Sequence, residues 1–181
     1  DMAEALLDRL AREAIDEARD AAATEGYFSA QVDMSIDRNT KPATVTLTVK
    51  PGESTRIATV RIDVAGPATT DTALGTRPIA TINEDWGLAK GEVFRQAAWS
   101  SAKERALATL RASPFAAAKI VRSEAAIDPD TRTGNLSLEL GSGPVFRFGD
   151  IEIEGLVRYR PSIVRNYSTF RPGDPHGQAP L

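Results

Sequence analysis

The chain contains no cysteine, which excludes a disulfide framework, thiolate nucleophiles and cysteine-liganded zinc. Compartment is left open, because a cysteine-free chain suits cytoplasm and periplasm alike. Histidine is nearly as scarce. His176 is the only one, so one copy cannot assemble a histidine-dependent triad or a multi-histidine metal site. Neither sign of charge dominates: 22 Lys and Arg interleave with 25 Asp and Glu, for a net charge of −3. There is no basic stripe to neutralise phosphates, which argues against nucleic-acid binding, and no acidic tail. No apolar run approaches the roughly 18 residues that cross a bilayer, and the chain opens at Asp1-Met2-Ala3-Glu4 without a signal-like segment. Any membrane-inserting part is therefore expected outside these residues. An opening inside a helical pattern, with no capping sequence before it, suggests a piece of a longer chain.

What is present is repetition. Pro51-Gly52 followed by Arg56-Ile57-Ala58-Thr59-Val60-Arg61-Ile62 is echoed by Ser142-Gly143 followed by Arg147-Phe148-Gly149-Asp150-Ile151-Glu152-Ile153. Gly52 and Gly143 are 91 residues apart, as are Arg56 and Arg147, and the closing Gly66 and Gly155 are 89 apart. This period is too long for a solenoid and fits small tandem domains. With 181 residues, 41% of them hydrophobic, the chain can build two small cores. A string of similar modules is expected rather than one cleft.

Residues 5–22 carry Ala5, Leu6, Leu10, Ala14 and Ala18 on one helical stripe, flanked by Leu7, Ala11 and Ile15, and Gly26 is expected to stop that helix. Residues 30–36 alternate apolar and polar, a turn follows at Arg38-Asn39-Thr40-Lys41-Pro42, and Val45, Leu47 and Val49 alternate with threonines. The pattern predicts a hairpin with one buried face. Another strand contains Val60, Ile62 and Val64. A Gly, Pro and Thr-rich stretch over 66–78 reads as a loop before a short apolar segment with Ile79, Ile82 and Trp86. Trp99, Ala102, Ala106 and Leu110 share the stripe of a longer helix ended by Pro114, with Trp99 and Leu107 or Leu110 expected in the core beside Val60 and Ile62. Residues 120–127 and 136–140 form a second expected hairpin around Asp128-Pro129-Asp130-Thr131-Arg132-Thr133-Gly134. Near the end, residues 160–167 read as a short helix, and Phe170-Arg171-Pro172-Gly173-Asp174-Pro175 echoes Leu88-Ala89-Lys90-Gly91-Glu92-Val93.

The order strand, helix, helix, strand, strand resembles the POTRA family, small periplasmic modules arrayed ahead of outer-membrane β-barrels. Gly26-Tyr27-Phe28-Ser29-Ala30-Gln31-Val32 matches its helix ending in glycine and two aromatics before a strand, and Pro51-Gly52 with Arg56-Ile57-Ala58 resembles its inter-module junction. The stretch from Phe115 through Lys119-Ile120-Val121, Gly143-Pro144, Phe148-Gly149 and Ile153-Glu154-Gly155-Leu156 to Tyr159 is similar to the TamA branch of the BamA/TamA superfamily. Ser113-Pro114-Phe115 departs from the glycine-aromatic pattern. The resemblance implies an α+β fold of tandem modules, each β-α-α-β-β with a three-stranded mixed sheet and two helices on one face. Residues 1–52 would be the C-terminal part of a first module, 53–143 a complete second, and 144–181 the N-terminal part of a third. Related readings are a BamA or two-partner secretion transporter, or a single-span cell-division protein of FtsQ type, a family with one such module.

Residues that invite a chemical reading have plainer ones. His176 lies in a Pro and Gly-rich segment and reads as a loop residue. The 128–134 stretch has the paired aspartates of a calcium loop, but Arg132 stands where an oxygen ligand is needed, so it reads as a turn. Glu84 and Asp85, like Asp150, Glu152 and Glu154, read as solvated carboxylates. Trp86, Trp99 and Tyr27 read as core, and the Gly143 and Gly149 region lacks the lysine of a phosphate loop. No catalytic, cofactor-binding or metal-binding residue is assigned, no cofactor is expected, and the chain is read as a non-enzyme.

What remains is backbone chemistry. The second strand of a three-stranded module is an edge that can accept an added strand, so the candidate site is Lys119, Ile120, Val121, Arg122 and Ser123, with Gln31, Val32 and Asp33 in the preceding repeat. The resemblance implies a periplasmic scaffold for insertion of outer-membrane proteins or autotransporters. It also implies a barrel outside these residues, unfolded outer-membrane clients and a TamB-like inner-membrane-anchored partner. Incomplete modules at both ends are expected to expose apolar faces and to promote self-association.

Overall fold

The computed structural model describes residues 2–40, 42–155, 160, 163 and 167–177, with the backbone alone for 2–5. It is an α+β fold: α1 (Met2–Thr24), β1 (Gln31–Asp37), β2 (Thr44–Lys50), β3 (Arg56–Ala65), α2 (Pro67–Thr70), α3 (Thr72–Glu84), α4 (Gln96–Ala112), β4 (Lys119–Asp128) and β5 (Thr133–Gly141). β1 and β2 form a two-stranded sheet, and the other strands form a three-stranded sheet in the order β3-β5-β4. Two compact units contain, respectively, residues 1–61, 87–102 and 124–137, and residues 62–86, 103–123 and 138–181.

In the first unit, α1 buries Ala11 and half-buries Leu7, Ala14, Ile15, Ala18 and Ala22. Leu6 and Leu10, which the sequence places on the apolar stripe, are exposed. The helix closes as expected at Gly26. Gly26 has φ of +94°, its N–H donates to the Ala23 carbonyl, and the Tyr27 N–H reaches back to the Ala22 carbonyl. This pair of bonds satisfies carbonyls that the helix end would otherwise leave without partners. The hairpin is antiparallel, with Gln31 opposite Lys50 and Asp37 opposite Thr44.

Its expected buried face is only half present. Val32 is buried and Met34 and Ile36 half-buried, but Val45, Leu47 and Val49 are 42%, 39% and 44% exposed. The reason is that α1 packs mainly over β1.

The start of β3 is fastened in the same unit. Thr55 donates its N–H to the Gly26 carbonyl (2.8 Å) and accepts from the Phe94 N–H (2.9 Å), while Ile57 and the 91–92 turn exchange two further bonds. Thr55, Ile57 and Phe94 are fully buried, and the Phe28 ring lies 5.8 Å from that of Phe94. Gly26 sits so close that a Cβ there would stand 2.3 Å from the Phe94 carbonyl oxygen. Glycine is therefore required twice, by φ and by space.

The three-stranded sheet is mixed. The Arg56 N–H donates to the Arg132 carbonyl, and ten residues on the Ser142 N–H donates to the Ala65 carbonyl, so β3 and β5 run parallel. Gly134 faces Ile127 and Gly141 faces Val121, so β4 and β5 run antiparallel. The alternation of β5 buries Gly134, Leu136, Leu138 and Leu140 on one face.

The second unit corrects one expectation. The stretch read as a loop over 66–78 holds two helices, α2 and the first half of α3. Its Gly, Pro and Thr residues serve packing and caps. Pro67 opens α2, where its missing N–H costs nothing. The Asp71 carboxylate accepts from the Leu74 N–H to cap α3. Gly75 lets α3 approach α2 until a Cβ would stand 1.7 Å from the Ala68 carbonyl oxygen, and Pro78 is buried inside α3. Ser142, fully buried, accepts from the Ala68 N–H and donates to the Gly143 carbonyl. Phe115, Leu110 and Ala118 are fully buried, as is Trp99 in the first unit, while Leu107 is only half-buried.

The segment after Gly143 repeats the fastening of β3 bond for bond. Phe146 donates to the Pro114 carbonyl (2.8 Å) and accepts from the His176 N–H (2.8 Å), and Phe148 exchanges bonds with Asp174 and Gly173 as Ile57 does with Glu92 and Gly91. Arg56 Nη1 donates to the Gly91 carbonyl (2.8 Å) and Arg147 Nη1 to the Gly173 carbonyl (2.9 Å). Even the turn carboxylates match: Ala89 donates its N–H to Glu92 Oε2 and Arg171 to Asp174 Oδ2. At the helix-to-strand junction, the Phe115 carbonyl accepts from Ala118 as the Tyr27 carbonyl accepts from Ala30. The short helix read over 160–167 falls largely on 161–162 and 164–166, and the 38–42 turn includes 41; these lie outside the described residues.

Gly26→Ala is expected to destabilise the protein by about 1–3 kcal/mol, from overpacking against a carbonyl and an unfavourable φ. Equilibrium denaturant unfolding measures this, and a loss below about 0.5 kcal/mol contradicts the described packing of Gly26.

Candidate functional site

β4 is an edge strand because β5 occupies the centre of its sheet. The candidate residues Lys119–Ser123 all belong to the second unit. Lys119, Val121, Arg122 and Ser123 are exposed, Ile120 is half-buried, and Val121 is 54% exposed. An edge strand presents alternate backbone N–H and C=O groups outward. Here that backbone carries one exposed apolar side chain and basic residues on either side of it. Arg111, in the last turn of α4, donates from Nε to the Ala118 carbonyl (2.8 Å), which fixes where β4 begins.

The second candidate, Gln31, Val32 and Asp33, lies on β1 in the first unit. Its side chains offer less. Val32 is buried, and the Asp33 carboxylate pairs with Lys50 Nζ at 3.0 Å. Both members of that pair are exposed, so it contributes about 0–1 kcal/mol.

The far end of β4 is set by Asp128. Its Oδ1 accepts from the Asp130 N–H (2.9 Å) and the Thr131 N–H (3.2 Å), and Arg132 follows at φ of 54°. The hydrogen bond from the Thr131 side chain, then that from its backbone, hold the Asp128 carboxyl below its ordinary range. The carboxylate is committed to the turn, as the plain-turn reading expected. Among the described residues there is no group of three or more His, Cys, Asp and Glu side chains that could hold a metal ion.

Two surface recesses lie in the second unit. One runs along α4 beside Leu107, Ala108 and Arg111, the other between Ile151, Phe170 and Pro172. Neither contains His176, which is half-buried with its ring 5.3 Å from Phe148. Asp150, Glu152 and Glu154 are exposed, as are Glu84 and Asp85. No helix among the described residues is long and apolar enough to cross a membrane.

Residues 1–51 match the family model described as POTRA domain TamA domain 1. Over this stretch the chain is similar to a POTRA domain. The match spans α1, β1 and β2, the helix and hairpin whose glycine-aromatic junction and alternating strands carry the resemblance in the sequence. No curated protein matches the chain. Among solved structures, the chain is similar to POTRA domains 3–5 of BamA from Haemophilus influenzae, at 18% identity and a TM-score of 0.47, over 92% of this chain and 63% of that one. It is also similar to BamA from Haemophilus ducreyi lacking POTRA domains 1–3, at 15% identity and a TM-score of 0.42, over 75% and 23% of the two chains. The chain thus spans less than two thirds of the length of either.

The Asp128 turn yields a signed expectation. A carboxyl whose folded pKa is lowered contributes stability above its unfolded pKa, and that contribution fades as pH falls through the folded value. Thr131→Val should raise the Asp128 titration midpoint, read from its carboxyl chemical shift, toward the ordinary carboxylate value. An unchanged midpoint would exclude Thr131 as the main cause.

Proposed function

We propose that this chain is a periplasmic scaffold segment of an outer-membrane β-barrel assembly factor of TamA type. It comprises the end of one POTRA module (1–52), a whole module (53–143) and the start of another (144–181). It binds client and partner polypeptides by strand addition and promotes insertion of outer-membrane proteins or autotransporters. The family match over 1–51 supports the class. The observation that carries the binding mode is the edge position of β4, where Lys119–Ser123 lie beside a buried central strand with Val121 open to solvent. An extended client can pair with this backbone whatever its sequence, which suits a scaffold that handles many strands. The family resemblance supplies the partners: unfolded outer-membrane clients and an inner-membrane-anchored protein of TamB type.

The strength of such a grip follows from its size. Five residues of edge offer a few outward hydrogen bonds, each with a net contribution of about 0.5–1.5 kcal/mol. The total corresponds to a dissociation constant on the order of a millimolar, tightening if Val121 gains an apolar neighbour. A weak grip lets a client leave for the membrane.

A peptide copying an outer-membrane β-strand should therefore shift the backbone amide resonances of residues 119–123 more than those elsewhere, with millimolar to high-micromolar affinity. Val121→Asp should weaken binding severalfold while leaving the fold intact, since the side chain is exposed. Shifts confined to loops would rule out strand addition.

A further inference from the structure

β5 alternates without a break, burying Gly134, Leu136, Leu138 and Leu140, so Gly141 lies on the opposite, open face. β4 does not keep step with it. A Cβ at Gly134 would stand 3.0 Å from Ile127 Cδ1, beside the buried Thr55, and one at Gly141 would stand 3.1 Å from Cγ2 of the exposed Val121. Ile127 and Val121 are six residues apart, and an even step keeps both side chains of a regular strand on one face. Here they lie on opposite faces. Burial marks the same change of phase: Ala125 and Ile127 are half-buried, as is Ile120, while the four residues between, Val121, Arg122, Ser123 and Glu124, are all exposed. β4 also has ten residues where β5 has nine. One extra residue on β4 within 121–124, a β-bulge, accounts for the contacts, the burial and the count together.

We propose, on the strand-addition reading of β4, that this bulge divides the edge and confines an added strand to a short window at residues 119–122, which holds the client in one register. A bulge bends its strand, raises the local twist and interrupts the ladder. A straight added strand that is in register on one side of it is therefore out of register on the other. The side before the bulge is the open one, with Lys119 and Val121 exposed. Beyond it, Ile127 and Asp128 are half-buried and the Asp128 carboxylate is taken up by two backbone N–H groups. The turn that follows is held too, by Ser29 Oγ donating to the Pro129 carbonyl (3.4 Å) and by Arg132 Nη1 at 3.0 Å from Glu53 Oε2.

Within the window one position sets the chemistry. An added strand places one residue directly beside Val121 on the open face, and Gly141 on the central strand brings no side chain to cover Val121 from its other side. An apolar client side chain at that position covers the exposed valine. The segment recognised is thus about four extended residues with one apolar side chain on the open face, which any alternating strand supplies. Client sequence is read loosely and register closely.

A length series tests the window. Peptides of about five, seven and nine residues with alternating apolar and polar side chains are titrated into the full 181-residue chain and followed by backbone amide shifts. Residues 119–122 should shift while 125–127 do not, and affinity should change by less than about twofold across the series, because the added residues find no partners. Deleting Ser123 gives β4 the residue count of β5 and restores its alternation. In that variant, with circular dichroism unchanged, the shifts should spread to 125–127, and the longest peptide should bind about fivefold or more tighter than the shortest. If the deletion unfolds the protein, the wild-type series decides alone. Wild-type shifts that run through 119–127, wild-type affinity that climbs with length, or a footprint that the deletion leaves unchanged overturns the window and leaves strand addition standing. Failure of every peptide to bind either protein overturns strand addition at β4 and the window with it.

Discussion

The backbone pair at Thr55, one hydrogen bond given to Gly26 and one received from Phe94, is the constraint on which the first unit depends. Both bonds are buried, in a site where a lost partner costs about 1–3 kcal/mol. They bring together the end of α1, the start of β3 and the turn before α4. Everything near them is shaped by that meeting. Gly26 has no Cβ because the Phe94 carbonyl occupies its place, and the Phe28 ring packs at a tilt beside that of Phe94. The second unit is built around the same device, with Phe146 bonded to Pro114 and His176. His176 thereby stands where the earlier repeat has Phe94. The only histidine in the chain is a packing residue at a joint.

The tightest packing lies at the joints and under the central strand β5, whose Leu136, Leu138 and Leu140 are sealed. What stays open is strand edge and sheet face: β4 from Lys119 to Ser123, and the apolar side of β2. Val121 is the exposed apolar side chain of the first, and Val45, Leu47 and Val49 are those of the second. Asp128, Glu92 and Asp174 are committed to turns, each accepting from a nearby backbone N–H.

Local signals in the sequence were read correctly where the physics was local. Gly26 stops α1 because only a residue tolerant of positive φ can close that helix, and Asp128 turns β4 into β5 through its own carboxylate. The 91-residue echo of Gly52 and Arg56 at Gly143 and Arg147 proved to be an echo of hydrogen bonds. The same local reading misjudged 66–78. There Pro67, Asp71 and Gly75 open, cap and pack two helices, and their meaning depends on Ala68 being pressed against Gly75.

Sequence alone determined the alternation of the strands, the periodicity of α1 and α4 and the repeat, because periodicity and turn chemistry are properties of neighbouring residues. Tertiary structure decided which periodic faces are covered. Val45, Leu47 and Val49 carry the same pattern as Leu136, Leu138 and Leu140, yet one set is open and the other sealed. Leu6 and Leu10 are likewise open, since α1 turns Ala11 and Ile15 inward instead. It also decided that β5 rather than β4 is central, leaving the 119–123 backbone at an edge. Burial and edge position depend on what a distant segment brings alongside, and no pattern within a strand encodes the presence of its neighbour.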